Sequence, residues 1–319
     1  MALLREEADF DGLFDVAAQT LGLPADVIEK DYWVTQALRG LAIAHPGEFI
    51  FKGGTSLSKG FELIERFSED IDILVIRGDG EGQNAIDTRL KLMGEAGAAG
   101  VTGVATRRHS GRGVHRTVEL SYPRGRDEGT PLLPFVLLEM SVHGGIRPIG
   151  DRDIATLIGA LLIEEGQATA GQYEDLEPFP VPILHPGRTL IEKLLLVNTA
   201  AHHADDDITK LPQFRIGRHF YDIHCLLGNK EVLELVADRA QFEEITNDAT
   251  EISRRHYAGA IDRPAAGFAT GPAFAATAEL RTAIEREYTA AMDAFYFGRD
   301  PYPDFEAVLV RVAATAEML

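Results

Sequence analysis

The chain of 319 residues has a single cysteine, Cys225, so no internal disulfide is available to it. It has no apolar h-region at its start, where Arg5, Glu6 and Glu7 follow almost at once, and a secretory signal is not expected. It also lacks any stretch near the roughly 20 uninterrupted apolar residues that a membrane helix requires. A soluble protein of the reducing cytoplasm, with no membrane partner, is the expectation. Repeats and low-complexity tracts are missing too. Basic residues are in short supply, with 31 Lys and Arg against 50 Asp and Glu and a formal charge of −19. Such a surface repels a polyanion on average, so a nucleic-acid partner would have to be met by a local patch.

One such patch is present. Arg107, Arg108, Arg112, Arg116, Arg124 and Arg126 stand within twenty residues against one acid, Glu119. A solvated hairpin with charged edges explains it as well as an RNA contact does. With 45% apolar residues the chain can bury two modest cores.

Helical periodicity covers residues 8–20 and 24–43, the second stretch with Ile28, Trp33, Val34, Ala37 and Leu41 inward. Glu48 to Lys52 has the composition of a short strand; Gly53-Gly54 makes a turn, and a helix is expected from Thr55 to about Arg66. Asp70 to Ile76 alternates as a strand. A helix near 84–97, a basic strand pair from Thr102 to Tyr122 and an apolar strand from Phe135 to Val142 complete an α+β unit. Four prolines between Glu177 and Pro186 favour an extended linker, which places domains at 1–176 and 177–319. Helices are expected near 188–203, 212–228, 230–257, 273–297 and 303–318.

In Lys52-Gly-Gly-Thr-Ser-Leu-Ser-Lys59 the glycines allow close approach of a ligand, and the next helix offers free N–H groups to phosphate, with a hydroxyl from Thr55 or Ser56. An ordinary turn and N-cap reads the same way. The segment Arg66-Phe-Ser-Glu-Asp-Ile-Asp72 decides between them. Residues two apart on a strand share a face, and two carboxylates held that close repel unless a divalent ion lies between them; all-oxygen ligands suit Mg²⁺. A solvent-facing edge strand is the competing explanation. Glu139, a lone charge among strand formers, is the candidate third ligand; Glu119 is its rival, and either could be paired to an arginine.

Lys193 stands among apolar neighbours, where a cation is costly unless it reaches water or an anion such as a triphosphate. Arg218 and Asp222 are one helical turn apart, the spacing of an i,i+4 ion pair. His202-His203-Ala-Asp-Asp-Asp207 has the residues of a metal site without a further ligand at matching spacing, and reads as an exposed charge run. Tyr32 and Trp33 read as helix packing.

The order Glu29-Lys-Asp-Tyr-Trp33, Phe51-Lys-Gly-Gly-Thr-Ser-Leu-Ser-Lys59, Arg66-Phe-Ser-Glu-Asp-Ile-Asp-Ile73, Glu192-Lys-Leu-Leu195 and Arg218-His-Phe-Tyr-Asp222 resembles the AbiEii/AbiGii toxin nucleotidyltransferases, over roughly residues 25–230. The resemblance implies a polymerase-β-like nucleotidyltransferase core with N-terminal helices, followed by an all-helical C-terminal domain. It implies the toxin of a toxin–antitoxin or abortive-infection pair, with a cognate antitoxin as partner and transfer from NTP to the tRNA acceptor end to block translation.

Carried over position by position, Lys52, Gly53, Gly54, Thr55, Ser56, Arg66 and Ser68 would line the nucleotide site. Asp70 and Asp72, with Glu139, would hold Mg²⁺; Lys193 would contact the triphosphate, and Asp222 would be the catalytic acid of the helical domain, supported by Arg218. Modification of Ser68, two residues before Asp70, would then silence the enzyme. Two alternatives remain at this level: transfer to a small molecule or protein, and a non-catalytic nucleotide-binding protein.

Overall fold

In the computed structural model, which describes residues 2–125, 129 and 131–319 with only the backbone at Phe214, two helices precede the sheet, α1 (Phe10–Leu21) and α2 (Ala25–Ala44). Next come β1 (Phe49–Lys52), α3 (Gly53–Lys59), β2 (Asp70–Val75) and α4 (Gln83–Gly100). They are followed by β3 (Ala105–Gly111), β4 (His115–Leu120), β5 (Val136–Ser141), β6 (Ile149–Ile154), α5 (Leu157–Glu164) and β7 (Phe179–Leu184).

Among the described residues these strands form one seven-stranded mixed sheet in the order β3-β4-β5-β2-β1-β7-β6. β2 runs antiparallel to β1 and parallel to β5. Ile71, Ile73, Val118, Leu138 and Met140 join Ile28, Leu38, Leu90 and Met93 in one core, which is why the strands alternate buried and open positions. Helices α2 and α4 approach closely enough that a Cβ on Gly40 would meet the Ala96 carbonyl at 2.5 Å. Only glycine fits there.

The remaining elements are α6 (Pro186–Asp206), α7 (Leu211–Phe214), α8 (Gly217–Leu226), α9 (Lys230–Ala237), α10 (Arg239–His256), α11 (Ala278–Phe295) and α12 (Phe305–Ala314). The fold is α+β with a helical C-terminal part. Contacts divide the chain into one unit of Met1–Phe61 and Phe67–Ile183 and another of Glu62–Arg66 and Leu184–Leu319.

Four local expectations change. The helix after the glycine turn ends at Lys59 rather than Arg66. A Cβ at Gly60 would lie 2.3 Å from Ile183 Cδ1, Glu62 has a φ of +53°, and residues 62–66 join the second unit, where Phe297 N donates to the Glu65 carbonyl at 3.2 Å. The proline-rich stretch is β7, paired in parallel with β1 at Phe51 and Ile183, not a linker. Pro180 and Pro182 are two apart, so the missing N–H donors fall on a single edge of the strand and the other edge can still bond. The junction expected at residue 177 therefore lies past this strand in the contact pattern. Finally, the helix expected over 212–228 is broken at Arg215, whose φ is +49°, and the one expected over 230–257 is divided at Asp238, which caps α10.

Candidate active site

The turn after β1 and the strand β2 are built against each other. Gly53 has a φ of +79°, and a Cβ there would sit 2.1 Å from Asp72 Oδ2. A side chain is excluded on both grounds, conformational and steric. Thr55 is buried, and its hydroxyl donates to the Asp70 carbonyl at 2.5 Å. Ser56, also buried, donates to the Gly53 carbonyl at 2.9 Å. Both hydroxyls expected to meet phosphate are thus engaged inside the protein, Thr55 tying the turn to the strand and Ser56 closing the turn on itself. Ser68 is half-buried in the stretch before β2.

Asp70 and Asp72 are both half-buried while Ile71 and Ile73 are buried, so the carboxylates share the open face of β2 as the two-residue period requires. Asp70 Oδ1 is buried with no hydrogen-bond partner among the described residues, a costly state for a carboxylate oxygen. Pairing carries the same face across the sheet: Lys52 stands opposite Asp72, Asp72 opposite Glu139, Glu139 opposite Thr117 and Thr117 opposite His109. Glu139 is thereby beside Asp72 in register, but its side chain is exposed. Among the described residues no three of His, Cys, Asp and Glu gather to hold a metal ion. Glu139 therefore does not complete a preformed three-acid centre. A divalent ion still fits the donor set, because Mg²⁺ is commonly held by one or two carboxylates and substrate phosphates, and the unpartnered Asp70 oxygen supplies a ligand that nothing else uses. Glu119 is paired with Arg108 at 3.3 Å, which accounts for it structurally.

The arginine patch is not uniform. Arg116 is buried and bonds Asp87 of α4 at 3.3 Å, and Arg112 bonds Asn84 at 2.5 Å. Arg107 and Arg108 are exposed on β3, Arg124 is half-buried, and Arg126 lies outside the described residues.

Within the second unit Asp222 of α8 is fully buried. Its Oδ1 accepts from Arg66 Nε at 2.6 Å and its Oδ2 from Arg66 Nη2 at 2.7 Å. Lys193 of α6 stands 2.7 Å from the same Oδ2. Asp222 therefore pairs with Arg66 and Lys193, whereas the sequence suggested Arg218 one turn away; Arg218 is half-buried beside it on α8. Burial pushes the Asp222 carboxyl up, but Arg66 and Lys193 outweigh it and hold the group below the ordinary range. It is an anion that positions two cations, its Oδ2 meeting both Arg66 and Lys193 and its Oδ1 meeting Arg66.

His219 is the participant that sequence reasoning passed over. Lys193 Nζ donates to its Nδ1 at 3.2 Å. Burial, followed by the Lys193 charge, lowers the imidazole well below its usual value, so it remains a neutral acceptor. Its signal was the spacing of three from Asp222, which puts both on one helical face.

Two tests follow from these geometries. Gly53→Ala is expected to lower transfer activity at least 100-fold and to cost about 1–2 kcal/mol of stability, read by thermal melts; wild-type activity would show that the close approach to Asp72 is dispensable. Because the folded value of His219 is depressed, the unfolded chain takes up that proton first as pH falls. Its stabilisation is full above about pH 6.5 and is lost below it, at no more than about 1.4 kcal/mol per pH unit. Denaturant curves from pH 8 to 5 should slope less for His219→Gln, with a residual slope from His224, lowered by burial and Arg311. An unchanged slope would contradict this.

A family model described as nucleotidyl transferase AbiEii toxin, type IV TA system, matches residues 36–311. Among solved structures the chain is similar to MenT4, a nucleotidyltransferase toxin from Mycobacterium tuberculosis H37Rv. The identity is 16% over 95% of this chain and 96% of that one, with a TM-score of 0.49. Curated proteins give no match.

Proposed function

The chain belongs to the AbiEii nucleotidyltransferase toxin family of type IV toxin–antitoxin systems, and from that premise we propose that it is a Mg²⁺-dependent enzyme that transfers a nucleotide from NTP to the 3′ end of tRNA and so blocks translation. Family membership makes the protein a nucleotidyltransferase toxin with an NTP substrate and a cognate antitoxin. Metal, acceptor and consequence are our reading.

The observation that carries it is the pair Asp70 and Asp72 on one face of β2, with a buried Asp70 oxygen that lacks a hydrogen-bond partner among the described residues. A bound Mg²⁺ would offset charge on the triphosphate and lower the barrier to attack at phosphorus. The chain's own contribution is placement. Gly53 keeps the turn clear of Asp72, Thr55 fixes the Asp70 backbone, and Lys52 stands opposite Asp72 on the same face. For Lys193 we keep the role of triphosphate contact, with Asp222 and His219 holding its ammonium in one orientation. In the transfer the acceptor oxygen bonds to the α-phosphorus, the bond from that phosphorus to the bridging oxygen breaks, pyrophosphate leaves and the hydroxyl proton is lost to water.

The exposed Arg107 and Arg108 support an RNA acceptor, since they lie on β3, in the same sheet as the carboxylates. No helix among the described residues is long and apolar enough to cross a membrane. Incubation with each α-labelled NTP, Mg²⁺, total tRNA and cell protein decides the acceptor. Label at the 3′ end of tRNA is expected. Label confined to protein or small molecules would replace tRNA with the second acceptor class, and loss of labelling on chelation checks the metal.

A further inference from the structure

The motif Glu29-Lys-Asp-Tyr-Trp33 has no part in the chemistry described so far, yet it places a fully buried lysine and a buried aspartate in succession on α2. Lys30 reaches past the core to the entrance of β2 and β5. Its Nζ donates to the Leu133 carbonyl at 2.8 Å and to the Phe135 carbonyl, and stands 3.2 Å from Glu69 Oε2. That same Glu69 oxygen accepts from Leu133 N at 2.8 Å. Glu69 is the residue before Asp70, and residues 133–135 lead directly into β5, which pairs in parallel with β2 from Asp70 opposite Leu137 onward. One ammonium thus staples the starts of two parallel strands, one of which carries the carboxylate pair. The next residue, Asp31, holds the other half of the site, since its Oδ1 pairs with Lys59 at the end of α3 and its Oδ2 accepts from Leu157 N at 2.8 Å.

A cation in such a place is expensive. Burial pulls the Lys30 ammonium down from its ordinary value, against the opposing attraction of Glu69. A methionine would fill the same volume at less cost. The charge is best explained by what it orients. Carboxylates that bind a metal depend on neighbours that fix their direction, and loss of such a neighbour weakens metal binding by roughly 10–100-fold.

We propose that Lys30, acting through Glu69 and the 133–135 backbone, is a positioning residue that sets Asp70 for divalent-metal binding. The inference rests on the reading of Asp70 and Asp72 as the metal pair.

Charge separates this role from a mere field effect. Removing the Lys30 cation should by Coulomb's law tighten binding of a divalent ion nearby, and removing the Glu69 anion should weaken it. A positioning role predicts weaker binding in both cases. Mn²⁺ titrations of the full chain, followed by electron paramagnetic resonance of the free ion, read this without reference to activity. Lys30→Met is expected to bind Mn²⁺ on the order of 10-fold more weakly than wild type. The double variant Lys30→Met/Glu69→Gln leaves net charge unchanged and strands no buried ion, so it keeps the test alive should the single variant fail to fold. It is expected to be weakened by a similar factor, with wild-type circular dichroism.

Wild-type affinity in the double variant, or tighter binding in Lys30→Met, would overturn the inference while leaving the metal reading intact. Asp70→Asn is the control for that reading. If Asp70→Asn binds Mn²⁺ as wild type does, or if wild type binds none, the metal assignment falls and the role of Lys30 with it.

Discussion

Asp70→Asn is expected to reduce nucleotidyl transfer on the order of 10³-fold or more while leaving thermal stability unchanged or slightly raised. The two halves of that result have one cause. Asp70 Oδ1 is buried without a hydrogen-bond partner among the described residues, and Asp72 is two residues away on the same face. In the protein alone the pair is a repulsive arrangement that a neutral amide relieves. For the reaction it is the metal-binding donor set, and a bound ion is worth several kcal/mol in the transition state, which is about 10³-fold at 1.36 kcal/mol per decade. The measurement is initial-rate incorporation of labelled NTP beside a melting curve. Loss of activity with a collapsed melt would make Asp70 a folding residue, and retained activity would remove the carboxylate pair from the mechanism.

Asp222→Ala is expected to act in the opposite register, destabilising the second unit by about 3–5 kcal/mol because Arg66 and Lys193 are left in the interior without their anion. Arg66 is almost wholly buried, and its Nε and Nη2 both donate to Asp222. Substituting Asp222 together with one of its cations, as in Arg66→Met/Asp222→Leu, should restore part of the loss, since one of the two uncompensated charges is removed while Lys193 still lacks its anion. Transfer activity is expected to stay low in the double variant, because Lys193 then lacks the carboxylate that aims it. Denaturant unfolding of the three proteins checks the prediction. An Asp222→Ala protein as stable as wild type would show that water reaches the cluster, and the ion triad would cease to be the second unit's anchor.

Legibility followed the range of the forces involved. The strand at Asp70 could be read from its two-residue alternation, and the register that carries its face to Glu139 was consistent with the lone acid in Phe-Val-Leu-Leu-Glu-Met. The glycine turn suggested room for a ligand, and what the structure places against Gly53 is the protein's own Asp72 side chain. The Thr55 hydroxyl looked available because its acceptor, the Asp70 carbonyl, lies fifteen residues away, whereas Ser56 bonds back to the Gly53 carbonyl of its own turn. Proline composition misled at Phe179–Leu184 because propensity has no knowledge of which strand edge needs donors.

By itself the sequence determined the local elements of this protein: strand and helix periods, a turn that only glycine can make, and two acids forced to one side of a strand by chain geometry. Tertiary structure alone decided which charges meet. Asp222 bonds Arg66, 156 residues away, rather than the arginine one turn along its own helix, because an i,i+4 pair is worth a few tenths of a kcal/mol in water while an ion in a closed interior must be matched by whichever opposite charge the fold encloses with it.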